Sequence, residues 1–140
     1  MDTNEVELSR SQIPAFPTRE QLESTLSRHV QSLYASLLGQ QPDDTTCQLL
    51  DTRLAFFLEN AITQPERLLF ESDRKELAQQ VRSSLDEILQ PRLQALIEAM
   101  VNVSVCDLLT SAQLETRRIS IIAILAERPK TNNSPNQQID

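Results

Sequence analysis

The middle of the chain constrains the fold most strongly. Residues 45–62 form a largely apolar stretch interrupted by Asp51 and Thr52. Strands are expected over 46–50 and 53–62 with a tight turn between them, so the stretch predicts a β-hairpin. The turn lacks the glycine that hairpin turns favour, and its type is therefore left open.

A helix is expected to begin directly after this hairpin. Glu66 follows Thr63 by three residues, which is the spacing of a capping box, and Pro65 falls in the first turn, where no backbone N–H is needed. An interruption of this helix is expected near residues 71–73, because Asp73 and Glu76 have the spacing of a second capping box.

The helical pattern then continues to about residue 100. Pro91 lies inside it and predicts a kink or a short break, since proline removes a hydrogen bond and clashes with the preceding turn. The expected buried stripe of this helix consists of apolar residues at spacings of three and four: Leu77, Val81, Leu85, Leu89, Leu93, Leu96 and Met100.

An earlier helix is expected between Thr18, a good N-cap with Gln21 three residues later, and about Leu38. Gly39, the single glycine of the chain, follows the last apolar residue and fits the left-handed position after a helix. The expected apolar face of this helix is Leu22, Leu26, Val30, Leu33 and Leu37.

A second hairpin is expected near the end of the chain, with strands over 103–109 and 117–127 and a polar loop over 110–116. The predicted fold is therefore α+β: a two-layer α/β sandwich in the order α-β-β-α-β-β, with helices packed on a four-stranded, antiparallel-rich sheet. Residues 18–128 form the predicted domain, preceded by a flexible arm over 1–17 and followed by a disordered polar tail over 129–140.

The predicted strands are apolar on both faces, whereas a half-solvated antiparallel sheet alternates apolar and polar residues. Two helices can cover one face, so the second face predicts a homodimer interface. The alternative is that the helices wrap both faces. The adjacent apolar pairs are Phe56 with Phe57, Leu108 with Leu109, and Ile121 with Ile122.

The net charge of −7 argues against nucleic acid as a partner, because phosphate neutralisation needs an excess of Lys and Arg. No apolar run approaches the roughly 20 residues of a membrane span, so no direct membrane insertion is expected. Cys47 and Cys106 are predicted to be buried thiols in a reducing cytoplasm rather than a disulfide. Any membrane association would then run through a protein partner.

The arginines are the candidate ligand-binding residues, because guanidinium groups suit carboxylate, phosphate and bicarbonate. Arg82 is expected at the edge of the apolar stripe, where Arg117 and Arg118 are candidates to converge with it. The simpler interpretation is a salt bridge from Arg82 to Asp86, four residues later.

The remaining polar residues favour structural roles. The single histidine, His29, is expected to be partly buried, and one imidazole makes no metal site by itself. Glu66 is explained by its capping box. The loop acids Asp43, Asp44 and Asp51 lack the spacing of a cation-binding loop. We therefore predict no catalytic residues, no metal site, no cofactor and no enzymatic activity.

Residues 26–125 resemble the MpsC-like family, a bacterial domain family. The similarity is carried by short motifs in order: LGQQP at 38–42, Leu50-Asp51 before an apolar strand, AITQPE at 61–66, Val81-Arg82 followed by Leu85, and VSV at 103–105. The chain departs from the family pattern at three positions: Asn102 replaces a glycine, Ser111 an acidic residue and Ala123 a phenylalanine.

The resemblance implies a setting rather than a mechanism. The family is named for a system that moves sodium ions and generates membrane potential, with a link to inorganic-carbon uptake, and its members look like soluble accessory components. The first functional hypothesis is accordingly a non-catalytic accessory or regulatory protein that contacts a membrane transporter subunit. The alternative is a sensor of small anions or metabolites that uses Arg82 in a dimer cleft.

Overall fold

The computed structural model describes residues 16–132, and their elements follow the order α-β-β-α-α-β-β. This confirms the predicted α+β order, with the long helical segment divided in two. The elements are α1 (Arg19–Leu38), β1 (Asp44–Leu50), β2 (Arg53–Glu59), α2 (Gln64–Glu71), α3 (Lys75–Val101), β3 (Val105–Gln113) and β4 (Arg118–Leu125).

Local signals place both ends of α1 as predicted. The Thr18 side chain accepts a bond from the Gln21 amide, and the Gln21 side chain accepts one from the Thr18 amide, so the capping box is complete. Gly39 ends the helix at a φ of 73°, where a side chain would be strained. Four side chains of α1 are buried: Leu22, Leu26, Val30 and Tyr34.

The sheet has the strand order β1-β2-β4-β3, and its three pairings are all antiparallel. In the first hairpin Leu50 pairs with Arg53, which leaves a two-residue turn at Asp51-Thr52. Asp51 has a φ of 60°. Aspartate tolerates this left-handed region better than most residues, which explains how the turn forms without glycine. The second strand ends at Glu59, earlier than predicted, because Asn60 turns the chain with a φ of 52°.

Strand β3 continues further along the chain than predicted, to Gln113 instead of residue 109, while β4 is shorter than predicted, at Arg118–Leu125. The expected polar loop over 110–116 is wrong, since residues 110–113 continue β3 and only residues 114–117 form the turn. The register continues to the pair of Gln113 with Arg118. Here the ladder of backbone hydrogen bonds, rather than side-chain hydrophobicity, sets the length of an edge strand.

The break between α2 and α3 lies at the predicted place but has another cause. Asp73 has a φ of 63°, so it reverses the chain and does not cap the next helix. Arg74 stands before the first turn of α3 and makes no side-chain cap hydrogen bond. The prediction of a second capping box is therefore wrong.

Of the two outcomes expected at Pro91, a break is not found, because α3 runs uninterrupted from Lys75 to Val101. Pro91 is exposed to solvent, so water can satisfy the carbonyl that its missing N–H would have bonded. The predicted stripe is also displaced: Leu77 is exposed, and the buried residues are Ala78, Arg82, Leu89, Leu93, Ile97 and Val101. Leu89 and Leu93 are buried as predicted, but on either side of them the buried positions lie one residue later than the predicted ones, at Ala78, Arg82, Ile97 and Val101.

The described helices cover one face of the sheet only. Strand β2 buries Leu54, Phe56 and Leu58 beneath them, while Phe57 on the opposite face is exposed. The alternative that the helices wrap both faces is therefore wrong for residues 16–132. Whether a second copy covers the open face stays a prediction.

Most of the predicted arm and tail falls outside the described part of the chain, at residues 1–15 and 133–140. The adjoining described residues contact each other. The amide of Asn132 donates to the Pro17 carbonyl at 2.7 Å, and the Lys130 ammonium lies 5.7 Å from the centre of the Phe16 ring.

Candidate functional site

A cluster of charged side chains is buried between α2 and α3. Arg82 donates from Nε to Glu66 Oε2 at 2.8 Å and from Nη2 to Glu66 Oε1 at 2.7 Å. Its Nη1 donates to Asp86 Oδ1 at 3.2 Å. Glu66 is fully buried and the Arg82 side chain is 4% exposed, so the pair is shielded from water. We call Glu66, Arg82 and Asp86 the buried ion-pair cluster.

Local sequence explains how Glu66 reaches this position. Thr63 begins α2 with a complete capping box, in which Glu66 Oε1 accepts from the Thr63 amide at 3.2 Å and from Thr63 Oγ1 at 2.8 Å. The carboxylate therefore caps α2 and binds α3 at the same time. The two-pronged contact with Arg82 fixes both distance and orientation between the helices.

Burial and the neighbouring opposite charges act against each other in the cluster, with different outcomes at Asp86 and Arg82. Burial raises the pKa of Asp86, and the positive charge of Arg82 offsets only part of that effect. Burial lowers the pKa of Arg82, but the hydrogen bonds and charge of Glu66 and Asp86 raise it overall, so the guanidinium stays charged. Burial also raises the pKa of the nearby Tyr34 hydroxyl well above its usual range.

Three predictions bear on this cluster. The salt bridge from Arg82 to Asp86 is confirmed. The expectation that Arg82 lies at the edge of the apolar stripe is wrong, because Arg82 occupies the buried row itself. The main partner, Glu66, was missed: its capping role was recognised, but a link across 16 residues carries no local spacing signal.

The cluster holds two helices together, and a small anion at Arg82 would have to compete with two carboxylates.

Arg117 and Arg118 each bind a different carboxylate. Arg117 Nη2 lies 3.4 Å from Glu71 Oε2, and Arg118 Nε donates to Glu59 Oε1 at 2.9 Å; both pairs are exposed. Neither pair includes a member of the buried ion-pair cluster.

Arg117 also lines an open cleft of about 590 Å³ beside α2, together with Arg67, Leu68 and Glu71. Two guanidinium groups therefore border the cleft, those of Arg67 and Arg117. The Nε atom of Arg67 is itself buried and has no hydrogen-bond partner. This arrangement suits a small anion, and the nearby carboxylate of Glu71 opposes it.

Other predicted residues lie apart from these two places. His29 is exposed on α1, which contradicts its predicted partial burial; its Nδ1 lies 2.8 Å from the Thr25 carbonyl oxygen. Cys47 is buried as predicted, but Cys106 is exposed, because it stands at an irregularity in the pairing of β3. In the described residues the acids and thiols form no group of three that could hold a metal ion.

Apart from Phe16 and Leu68, the exposed large apolar side chains of the described residues fall into two further places. On the open face of the sheet are Leu50, Phe57 and Leu109. On α3, Leu77 and Ile88 are exposed at 45% and 57%, with Val81 half-buried between them. These three residues share one side of the helix, and we call them the helix stripe. No helix within residues 16–132 has the length and apolar character needed to cross a membrane.

Comparison with known proteins identifies one match. The sequence model of a family described as "Na+-translocating membrane potential-generating system (MpsC)" matches residues 18–127. No curated protein and no solved structure matches the chain. One departure from the family pattern has a structural explanation: Asn102 ends α3 at a φ of 59°, a conformation that glycine and asparagine adopt most readily.

Proposed function

The chain belongs to the MpsC family, and on that premise we propose that it is a non-catalytic accessory or regulatory protein of a bacterial membrane ion or inorganic-carbon transport system. The family description supports involvement in a Na+-translocating system that generates membrane potential. The accessory role, the contact mechanism and the link to inorganic carbon are our proposals.

The observation that carries the proposal is the helix stripe. Leu77, Val81 and Ile88 present apolar surface on a rigid helix of 27 residues. A helix that buries one side on its own domain and keeps a second apolar strip in water suits a protein partner better than a small molecule. The partner in this proposal is a protein component of the same transport system.

An affinity experiment on detergent-solubilised membranes and, in parallel, on cytosol tests this. The tagged full-length chain should retain a subunit of an ion or bicarbonate transporter, and Ile88→Glu should lose it because a carboxylate would be buried at the contact. Leu68→Glu is the matched control, since Leu68 is 65% exposed on a different helix. Retention of cytosolic proteins alone, or equal retention by Ile88→Glu, would contradict the proposal.

A second candidate function is a small-anion or metabolite sensor. It is favoured by the two guanidinium groups, Arg67 and Arg117, that border the cleft beside α2. Because Arg82 is bound by two carboxylates, we place the anion at this cleft and not at Arg82. An anion that binds only the native state raises its stability by mass action, by about 2.7 kcal/mol at 100 times its dissociation constant.

Thermal unfolding in bicarbonate or phosphate, against sodium chloride at equal ionic strength, tests the sensor. The midpoint should rise for the wild type and not for Arg67→Gln, while Arg28→Gln, an exposed arginine on α1, should behave like the wild type. A midpoint that no anion raises above the chloride control would reject this function.

A further inference from the structure

The open face of the sheet carries exposed apolar side chains among polar and charged ones. Leu50, Phe57 and Leu109 are 60%, 46% and 53% exposed on it. Ile122 and Ile124 of β4 are half-buried between them. No element within residues 16–132 covers this face. The face is mixed, since Thr46 and Gln48 of β1 lie beside Phe57 and Ala55, and Ser120 of β4 lies beside Phe57. Its exposed apolar side chains are those that a contact would bury.

The central strand β2 shows what occupant the face suits. Its outward residues, in chain order, are Arg53, Ala55, Phe57 and Glu59: positive, small, large and negative. Read in the opposite direction, the same four residues give negative, large, small and positive. An antiparallel copy of the strand would therefore place Arg53 against Glu59 at both ends and Phe57 against Ala55 in the middle.

We propose that a second copy of this chain packs face to face on the open face, related by a two-fold axis that lies between the sheets and perpendicular to the strands. Such an axis sets each strand opposite its own copy in the reverse direction, which gives the β2 complementarity twice. The inference is independent of the helix stripe and of the transport role.

An axis parallel to the strands through β2 would give the opposite result. It would set Arg53 against Arg53, Glu59 against Glu59 and Phe57 against Phe57, so that charges repel and large side chains collide. The charge pattern of β2 therefore favours the antiparallel arrangement. Arg53 makes none of the ion pairs found within residues 16–132, so its guanidinium is available for a second copy.

The dimensions fit a modest interface. Packed sheets lie about 10 Å apart, and their strands cross at roughly 30°. At about 10 Å from the centre of the contact, this crossing displaces a residue sideways from its opposite residue by about 5 Å. Arg and Glu side chains are long enough to span that distance. Four strands of about seven residues present on the order of 500 Å² per copy, or about 1,000 Å² in the dimer. That is close to the smallest specific interfaces, which predicts a dimer that dissociates on dilution.

Charge reversal measured by analytical ultracentrifugation tests the arrangement. The full-length wild type should be dimeric at about 100 µM and dissociate on dilution. Arg53→Glu and Glu59→Arg should each raise the dissociation constant tenfold or more, because like charges then face each other. The double variant Arg53→Glu/Glu59→Arg should restore most of the affinity.

This restoration has no intramolecular explanation. Positions 53 and 59 stand at opposite ends of β2, so their side chains do not contact each other within one chain. The pair of Glu59 with Arg118 is lost in Glu59→Arg and in the double variant alike, and Arg53→Glu keeps it. Leu68→Glu, on the helical layer, is the control and should dimerise normally. Circular dichroism should show that every variant is folded.

Three results would overturn the proposal: a wild type that is monomeric at 100 µM, a dimer that survives Arg53→Glu, or a double variant no better than the singles.

Discussion

Removal of Arg82 is expected to destabilise the fold far more than removal of any exposed arginine. The Arg82→Leu substitution leaves the Glu66 carboxylate, which is fully buried, without its guanidinium partner. Loss of one partner of a buried pair costs about 3–5 kcal/mol. A domain of this size is stable by about 5–15 kcal/mol, so the variant should lose a large fraction of its stability.

The double variant Arg82→Leu/Glu66→Leu distinguishes two causes of destabilisation: the burial of an unpaired charge and the loss of packing. Glu66→Leu alone should also cost about 3–5 kcal/mol, since it leaves Arg82 buried with Asp86 alone and removes part of the capping box. Arg82→Leu/Glu66→Leu should lose roughly 2–4 kcal/mol, well below the sum of the two, because two apolar side chains then replace the pair without a stranded charge.

Urea unfolding at pH 7, followed by circular dichroism, measures these differences. Arg118→Leu is the matched control: its ion pair with Glu59 is 63% and 45% exposed, and such pairs contribute about 0–1 kcal/mol. If Arg82→Leu costs no more than Arg118→Leu, or if the two Leu substitutions are simply additive, the argument from burial is refuted.

Further predictions concern a carboxyl, the thiols and a proline. Because burial raises the pKa of Asp86 above its unfolded value of 3.8, the native state holds that proton more tightly, so its contribution to stability falls as pH rises through the folded pKa. The free energy of unfolding of Asp86→Asn should therefore rise relative to that of the wild type as the pH increases from about 4. A relative stability that falls over this range would contradict the prediction. Burial raises the pKa of Cys47 to about 12, so iodoacetamide at pH 8 should modify Cys106 alone in the native protein and both thiols in urea, counted by mass spectrometry. Pro91→Ala should stabilise α3 by about 1–3 kcal/mol in urea unfolding, because it restores a helical hydrogen bond; a loss would show that the proline is required there.

The edges of the sheet show a feature that no local pattern predicts. Glu23 of α1 accepts a hydrogen bond from the Leu49 amide on β1, and Glu98 of α3 accepts one from the Val105 amide on β3, each at 2.8 Å. Each edge strand thus has an outward amide bound by a helix carboxylate. These contacts anchor the helical layer and partly block edge-to-edge pairing with other strands. The two carboxylate contacts do not cover the open face of the sheet, so that face stays accessible to the proposed second copy.

The sequence by itself determined the elements whose signals span three or four residues. The capping boxes at Thr18 and Thr63, the end of α1 at Gly39 and the two hairpins follow from local hydrogen bonds and turn preferences, which the neighbouring residues supply. The family resemblance likewise required only ordered short motifs, and the match over residues 18–127 confirms it.

Only the tertiary structure decided which face of each element is buried and which distant charges meet. Whether Leu77 or Ala78 faces the core depends on the rotation of α3 about its axis, which is set where α3 packs on α2 and the sheet. The link of Glu66 to Arg82 depends on the same rotation. A helix with apolar residues on more than one side has several rotations that satisfy its own pattern, and packing against the rest of the chain selects one of them.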